Sequence, residues 1–426
     1  MLIPQHRSSV SSLASIDSLL SSSSSSIPFS ASECELVTPL EGLCHIEGRL
    51  EARKYKSLSF ASSLLRIVTS MNITTWRTRT MTPSDIRVTK VSGALTNAVF
   101  FVSCPSIPGT STLLLRVYGP SSGSLVSRPR ELEILHILSS EYKIGPFVYG
   151  TFDNGRIEQH FDSVALTPAD LRDPEISRWI AMRMAELHKV NLDDLGGPSS
   201  SGHEDSVKKN VRSWLPHARE VLSLPATQSR LPRTFNIDTF TDQWEKYMQW
   251  VSAVEAKEGA SPRVLAHNDA QYGNLLRMNP HPHSPEGHRQ IIVVDFEYAG
   301  PNPAAFDIAN HFMEWTADYH GPTPHILDSV RYPILSQRRN FYEAYLTHAN
   351  PSISETEKEE KMNALEKQVQ VWSPASHGMW TIWGLIQARD TLETDDGGEP
   401  EFDYLGYARC RFEGFQRDLG VLDLSA

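Results

Sequence analysis

Two apolar runs, each ending on an acid, constrain this chain more than any other feature. VLAHNDAQYGNLL (264–276) holds His267-Asn268-Asp269, with Asn274 five positions beyond Asp269. QIIVVDFEYAG (290–300) carries Asp295 at the end of a β-branched run that reads as a buried strand. Taken singly, Asp and Asn in such places are ordinary turn caps. In this order, each behind a strand-like run, they set two carboxylates and a carboxamide on loops that a rigid scaffold presents.

The flanking sequence predicts what that scaffold is. Residues 8–32 are dominated by serine, with an unbroken run from Ser21 to Ser26. So little apolar surface cannot offset the entropy of ordering, and residues 1–54 read as a disordered tail. From Tyr55, YKSLSFASSLLRIVTSM has helical spacing of its apolar residues. Ile86 to Cys104 reads as two strands around a glycine-containing turn, and LLLRVYG (113–119) as a third. RELEILHILSSEYKIGP is helical up to Gly145-Pro146, and FVYGTFDNGRIEQHF is a hairpin turning at Asn154-Gly155. Helical patterns dominate from Asp170 on. The expected fold is therefore α+β with two lobes: a small β-rich lobe over residues 55–159 and a large, mainly helical lobe over 160–426, with the break near Gln159.

Composition removes several classes of function. With 40% hydrophobic and 21% charged residues the chain can bury a substantial core, and its formal charge of −11 argues against nucleic acid or an anionic membrane as partner. The four cysteines are scattered without a CxxC pair, which fits a reducing compartment and no disulfide framework. No apolar run approaches the roughly 20 residues of a membrane span, and no signal-peptide core opens the chain. A cytoplasmic protein is expected, with no stable membrane insertion.

The chemistry lies in the two acid-bearing runs. An Asp in a tight loop, with an Asn and a second Asp close by, is the spacing of a phosphotransferase catalytic loop. Asp269 would accept the proton of a substrate hydroxyl. Asn274 and Asp295 would offer the hard oxygen atoms that Mg²⁺ prefers. In the β-rich lobe the turn Ser92-Gly93-Ala94-Leu95-Thr96-Asn97 can lay backbone N–H groups and a hydroxyl over phosphates. Arg116, a cation in the middle of an apolar strand, can reach the same phosphates, with Glu131 expected to hold it in place.

HNDAQYGN together with DFEYAGPNPAAFDIANHFMEWTADY resembles the choline/ethanolamine kinase family, and so do VSGALTN, LLLRVYG, IGPFVYGTFDNGRIEQ and LRDPEIS, over about residues 91–412. The resemblance implies a protein-kinase-like fold and ATP- and Mg²⁺-dependent phosphorylation of choline or ethanolamine, the first step of the CDP-choline route to phosphatidylcholine. It makes Asp269 the base and Asn274 and Asp295 the Mg²⁺ ligands. Arg116 stands where the fold usually has its phosphate-binding lysine, and Glu158 and Gln159 form the hinge beside adenine. Around the amine it places Gln271, Tyr298, Glu314, Tyr319, Trp380, Trp383, Phe402 and Tyr407. A quaternary ammonium has no N–H to donate, so ring faces and a carboxylate are what can hold it. Trp380 and Trp383, three apart, share a helix face, and the acidic run ETDDGGEPE (393–401) favours a cation nearby. Ring clusters of this kind also serve as core seams.

Two departures from the family pattern stand out. Ala94 replaces a second glycine of the phosphate loop, and NPHPHSPEGHRQ (279–290) lengthens the connection before Asp295. Its His281, His283 and His288, among three prolines, are expected in a solvated loop rather than at a metal. The rival readings are a kinase preferring ethanolamine or an aminoglycoside, and a nucleotide-binding scaffold without catalysis. A protein kinase is disfavoured because Phe-Glu follows Asp295 and no Ala-Pro-Glu follows later. Whether the chain forms a homodimer stays open.

Overall fold

Alternating apolar residues between positions 87 and 159 build the sheet that the sequence predicts. The computed structural model describes residues 37–77, 80–92, 97–118, 125, 127–195, 204–231, 235–280, 285–393 and 402–424. The chain divides into two compact units with the boundary between Ala165 and Leu166, six residues beyond Gln159.

The first unit is a six-stranded sheet: β1 (His45–Ile46), β2 (Arg87–Ser92), β3 (Asn97–Ser103), β4 (Leu113–Tyr118), β5 (Val148–Phe152) and β6 (Gly155–Gln159), in the order β1-β5-β6-β4-β3-β2. β1 runs parallel to β5, and the other pairings are antiparallel. The tail predicted for residues 1–54 ends sooner than expected. His45–Ile46 pairs with Thr151–Phe152, and Leu50 lies in the core at 2% exposure. The serine run itself, the acidic run 394–401, His281 and His283 lie outside the described residues. Helix α1 (Leu58–Ser70) forms where its periodicity predicts, capped by the Ser57 hydroxyl, which accepts from Phe60 N at 3.1 Å. Its Phe60, Leu64, Ile67 and Val68 pack on Phe100, Val102, Leu113 and Leu115 of the sheet. The hairpin turn falls on Asp153-Asn154 rather than Asn154-Gly155. Gly155 opens β6, because a Cβ there would sit 2.2 Å from the Arg116 carbonyl oxygen. Helix α2 (Arg128–Ile137) carries Glu131.

The second unit is mainly helical: α3 (Pro174–His188), α4 (Ser206–Ser223), α5 (Ile237–Glu258), α6 (Ala304–Glu314), α7 (Leu335–Ala349), α8 (Glu355–Gln387) and α9 (Tyr404–Val421). Short strands lie among them: β7 (Arg263–Ala266) with β10 (Gly300–Pro303), and β8 (Leu275–Met278) with β9 (Ile291–Val293), both antiparallel. The segments on either side of Pro374 belong to a single 33-residue helix, α8, in which Pro374 withholds an N–H and the Val371 carbonyl of that turn accepts the Tyr247 hydroxyl at 2.7 Å. Among the described residues, no helix is long and apolar enough to cross a membrane.

Candidate active site

The loop after β7 is shaped by a carboxylate that sequence reading does not single out. Asp307, fully buried in α6, accepts from the backbone N–H of His267 (3.0 Å) and Asn268 (2.8 Å) and from His188 Nε2 (3.0 Å). Burial alone would raise its pKa, but the His188 hydrogen bond and charge outweigh that and hold it below the ordinary value. Asn268 turns the chain in the left-handed region at φ 64°, which Asn tolerates better than most residues. Its amide donates to the Tyr298 carbonyl (2.8 Å) and accepts from Asn302 (2.7 Å), while Asn310 donates to its carbonyl (3.0 Å). His267 accepts from Asp269 N–H at Nδ1 and donates from Nε2 to the Val294 carbonyl, which fixes its tautomer. The loop is over-determined, and Asp269 is what it presents.

Asp269 is 7% exposed. Burial first, then the Glu314 and Asp295 carboxylates, push its pKa well above the ordinary range. Asn274 Nδ2 donates to both the Asp269 carbonyl (3.0 Å) and Oδ2 (2.9 Å), so the carboxamide oxygen keeps its acceptor capacity. Asp295 is half-buried and also left-handed, at φ 66°. Two carboxylates beside a carboxamide oxygen form a hard donor set that suits Mg²⁺.

The predicted amine residues gather around α8 and α9, and they are tied to the same loop. Asn310, which holds Asn268, accepts from Trp380 Nε1 (2.8 Å) and Ser376 Oγ (2.7 Å), and the Tyr298 hydroxyl accepts from Trp383 Nε1 (2.8 Å). Ring centroids are 5.2 Å apart for Trp380–Trp383, 5.5 Å for Tyr298–Trp380 and 5.8 Å for Trp383–Tyr407, all edge-to-face. Phe402 lies 5.8 Å from Tyr407 and 6.5 Å from Tyr319. Gly384 lets the two helices close, since a Cβ there would meet Tyr407 Cδ1 at 3.0 Å. Glu314 accepts from the Tyr319 hydroxyl (2.7 Å) and from Arg411 Nη2 (2.5 Å). Arg411 is fully buried, donates from Nε to the Tyr407 hydroxyl (2.9 Å) and lies 5.1 Å from that ring's centroid. Among the described residues, Arg411 Nη1 and Gln271 Nε2 are buried donors without a hydrogen-bond partner. Gln271 Oε1 folds back onto Gly273 N (2.7 Å).

In the first unit, Arg116 and Arg156 face each other across β4 and β6. Glu131, expected to hold Arg116, feels the charge of that guanidinium, but its hydrogen bond goes to the neighbouring arginine. Glu131 accepts from Arg156 Nη2 at 2.6 Å, and Arg116 Nε lies 3.6 Å from Glu158 Oε1. The reason is register: Glu158, two residues beyond Arg156 on the same strand face, takes the space between the two guanidinium groups. Glu158 also accepts from Arg156 Nε, and the Tyr118 hydroxyl from Arg156 Nη1 (2.7 Å). Glu158 is thus an interior strand residue with a committed carboxylate. Gln159 ends the strand, its Oε1 accepting from Phe147 N (3.3 Å). Ser92 ends β2 and Asn97 opens β3, while Gly93, Ala94 and Thr96 lie outside the described residues.

The sequence profile described as choline/ethanolamine kinase matches residues 88–416, more than three-quarters of the chain. The choline kinase of Schizosaccharomyces pombe is 33% identical over 422 residues, covering 86% of this chain and 90% of that protein. The chain belongs to the choline/ethanolamine kinase family. The human choline/ethanolamine kinase is 31% identical over 360 residues, covering 81% and 83%. The fold is likewise shared: the crystal structure of choline kinase from Cryptosporidium parvum superposes with a TM-score of 0.67 at 24% identity, covering 85% of this chain and 96% of that one. The protein-kinase-like α+β fold expected from sequence is thus the one observed, and the family uses ATP.

Within this kinase fold, sequence reading missed Asp307, Asn302, Asn310, His188, Arg156 and Arg411. One signal was present. Asp307, Asn310, His311 and Glu314 recur at spacings of three and four along an otherwise apolar helix, so one face of α6 is polar although every residue of the helix is buried.

Proposed function

We infer that this chain transfers the γ-phosphoryl group of ATP to the hydroxyl of choline, giving phosphocholine, the entry step to phosphatidylcholine, as a cytoplasmic enzyme. The observation that carries this reading is the double tether. Asn310 and Tyr298 each bond the Asp269 loop on one side and a tryptophan of the ring cluster on the other. A proton acceptor and an aromatic enclosure held at fixed separation suit a short amino alcohol, its cation among the rings and its hydroxyl at the acid.

In this reading Asp269 Oδ1 takes the hydroxyl proton, since Oδ2 is engaged by Asn274, and its raised proton affinity favours the transfer. Asn274 Oδ1 and Asp295 would hold Mg²⁺, which when bound offsets phosphate charge. Arg116, with the turn from Ser92 through Gly93 and Thr96 to Asn97, is assigned to the phosphates, and Gln159 to the adenine side.

Choline is favoured over ethanolamine by the state of the polar atoms. The enclosure is walled by the faces and edges of Tyr298, Trp380, Trp383, Phe402 and Tyr407, and Glu314 is already engaged by Tyr319 and by the charge of Arg411. A primary ammonium needs acceptors for its three N–H groups. A trimethylammonium needs only ring faces. The test is steady-state kinetics of Asp269→Asn with choline and MgATP. The expected result is a kcat lower by about 10²–10⁴-fold with an unchanged circular dichroism spectrum. A folded variant with most of its turnover would overturn Asp269 as the base, and a wild-type preference for ethanolamine would move the substrate.

A further inference from the structure

Among the described residues, one cluster outside the site just described brings three metal-ligating side chains to a single point. Glu186 stands in the last turn of α3, His348 in the last turn of α7, and His288 in the connection that leads into β9. Both imidazoles aim the same ring atom at the same oxygen: His288 Nε2 lies 2.8 Å and His348 Nε2 3.2 Å from Glu186 Oε1. All three ligand atoms fall within 4.8 Å of one another, and the side chains are 20–26% exposed. The other carboxylate oxygen is held by Arg183, which fixes the plane of the group.

We propose that Glu186, His288 and His348 form a zinc site, with water completing a tetrahedron. Tetrahedral Zn²⁺ with ligands at about 2.0–2.1 Å sets neighbouring ligand atoms about 3.3 Å apart, close to the two separations present here. Two imidazoles and one carboxylate select a borderline ion such as Zn²⁺ over Mg²⁺ or Ca²⁺, which take oxygen almost exclusively. Binding needs no net loss of protons from neutral imidazoles: each moves its N–H from Nε2 to Nδ1 and offers the freed lone pair to the ion. Two of the ligands stand on helices already fastened together. Arg178 of α3 pairs with Glu343 of α7 (3.0 Å), and Lys189 donates to the His348 carbonyl (3.0 Å). The third comes from residues 279–290, the lengthened connection whose histidines sequence reading assigns to a solvated loop. Zinc would pin that connection to both helices, close to the strand that delivers Asp295. Arg183 and Lys189 add positive charge nearby, so the affinity is modest.

The experiment uses the tag-free full-length protein, stripped with a chelator and kept in saturating Mg²⁺ so that hard oxygen sites are filled. Zn²⁺ is titrated in competition with a zinc indicator of micromolar affinity. The expected result is one equivalent per chain, bound at least tenfold more weakly by His288→Ala and by His348→Ala, since even outer-shell changes cost a metal site about 10–100-fold. Co²⁺ in place of Zn²⁺ gives a second reading: the visible absorption of a tetrahedral ion, present in wild type and lost in His288→Ala. His288→Ala lies on a connection between strands, so it tests the ligand set even where His348→Ala fails to fold. No uptake by the wild-type protein, or uptake unchanged in His288→Ala, overturns the site.

Discussion

Each unit buries an arginine against a glutamate and a tyrosine, and the two arginines are completed differently. Arg156 in the sheet spends every nitrogen: Nε on Glu158, Nη1 on Tyr118 and Nη2 on Glu131. Arg411 in α9 spends Nε on Tyr407 and Nη2 on Glu314, and its Nη1 has no partner among the described residues. In both places burial alone would lower the arginine's pKa. Adjoining glutamates outweigh burial at Arg156, and the Tyr407 hydroxyl and Glu314 do so at Arg411, so both stay charged. The difference teaches what each charge is for. A guanidinium with every nitrogen engaged is a clamp, whereas Arg411, beside the ring cluster, keeps one nitrogen without a hydrogen-bond partner among the described residues.

The largest effect expected from this comparison is on stability. Arg156→Met strands Glu131 and Glu158 in the interior, and removing one side of a buried ion pair costs about 3–5 kcal/mol. Urea unfolding of the variant measures it, and a variant as stable as wild type would mean that Arg116 serves both carboxylates and that the clamp is redundant. The second effect is kinetic. Arg411→Lys keeps the charge on Glu314 but loses the planar fork. It should fold with near wild-type stability while kcat/KM for choline falls roughly tenfold or more, the worth of about 1.5–3 kcal/mol for a hydrogen bond to a charged group. Lost stability with unchanged kinetics would make Arg411 a second clamp and erase the distinction. The smallest effect concerns the rings themselves. Trp383→Ala removes one face of the enclosure, and a cation–π contact of about 0.5–2 kcal/mol predicts a few-fold to thirty-fold rise in the KM for choline with little change in kcat. Equal losses for choline and ethanolamine would reduce the tryptophan to core packing.

The same contrast explains how much was legible in the sequence. Asp269 and Asp295 stand out because each follows a strand-like run, Asn274 because it stands five residues beyond Asp269, and Trp380 and Trp383 because they share a helix face. Those signals are local. Arg156 and Arg411 do not stand out, because nothing within a few residues says whether a charge on a strand or helix faces water or a buried carboxylate. The partner of Arg411 is 97 residues away and that of Arg156 is 25. Arg116 shows the converse. Its place on the strand was legible, but the carboxylate nearest its Nε was set by cross-strand register, which a single strand does not reveal.

Asp307 carries a consequence for the order in which the enzyme comes into being. It bonds backbone made 40 and 39 residues before it and a histidine made 119 residues before it. A chain that has emerged from the ribosome only as far as residue 300 already possesses Asp269, Asn274 and Asp295, yet lacks the carboxylate that bends the loop around Asn268. Contacts so distant along the chain close late, because their entropy must be met before they return anything. The loop that presents Asp269 therefore takes its shape only when α6 docks, so a nascent or truncated chain can hold Asp269, Asn274 and Asp295 without the bend that presents the first of them.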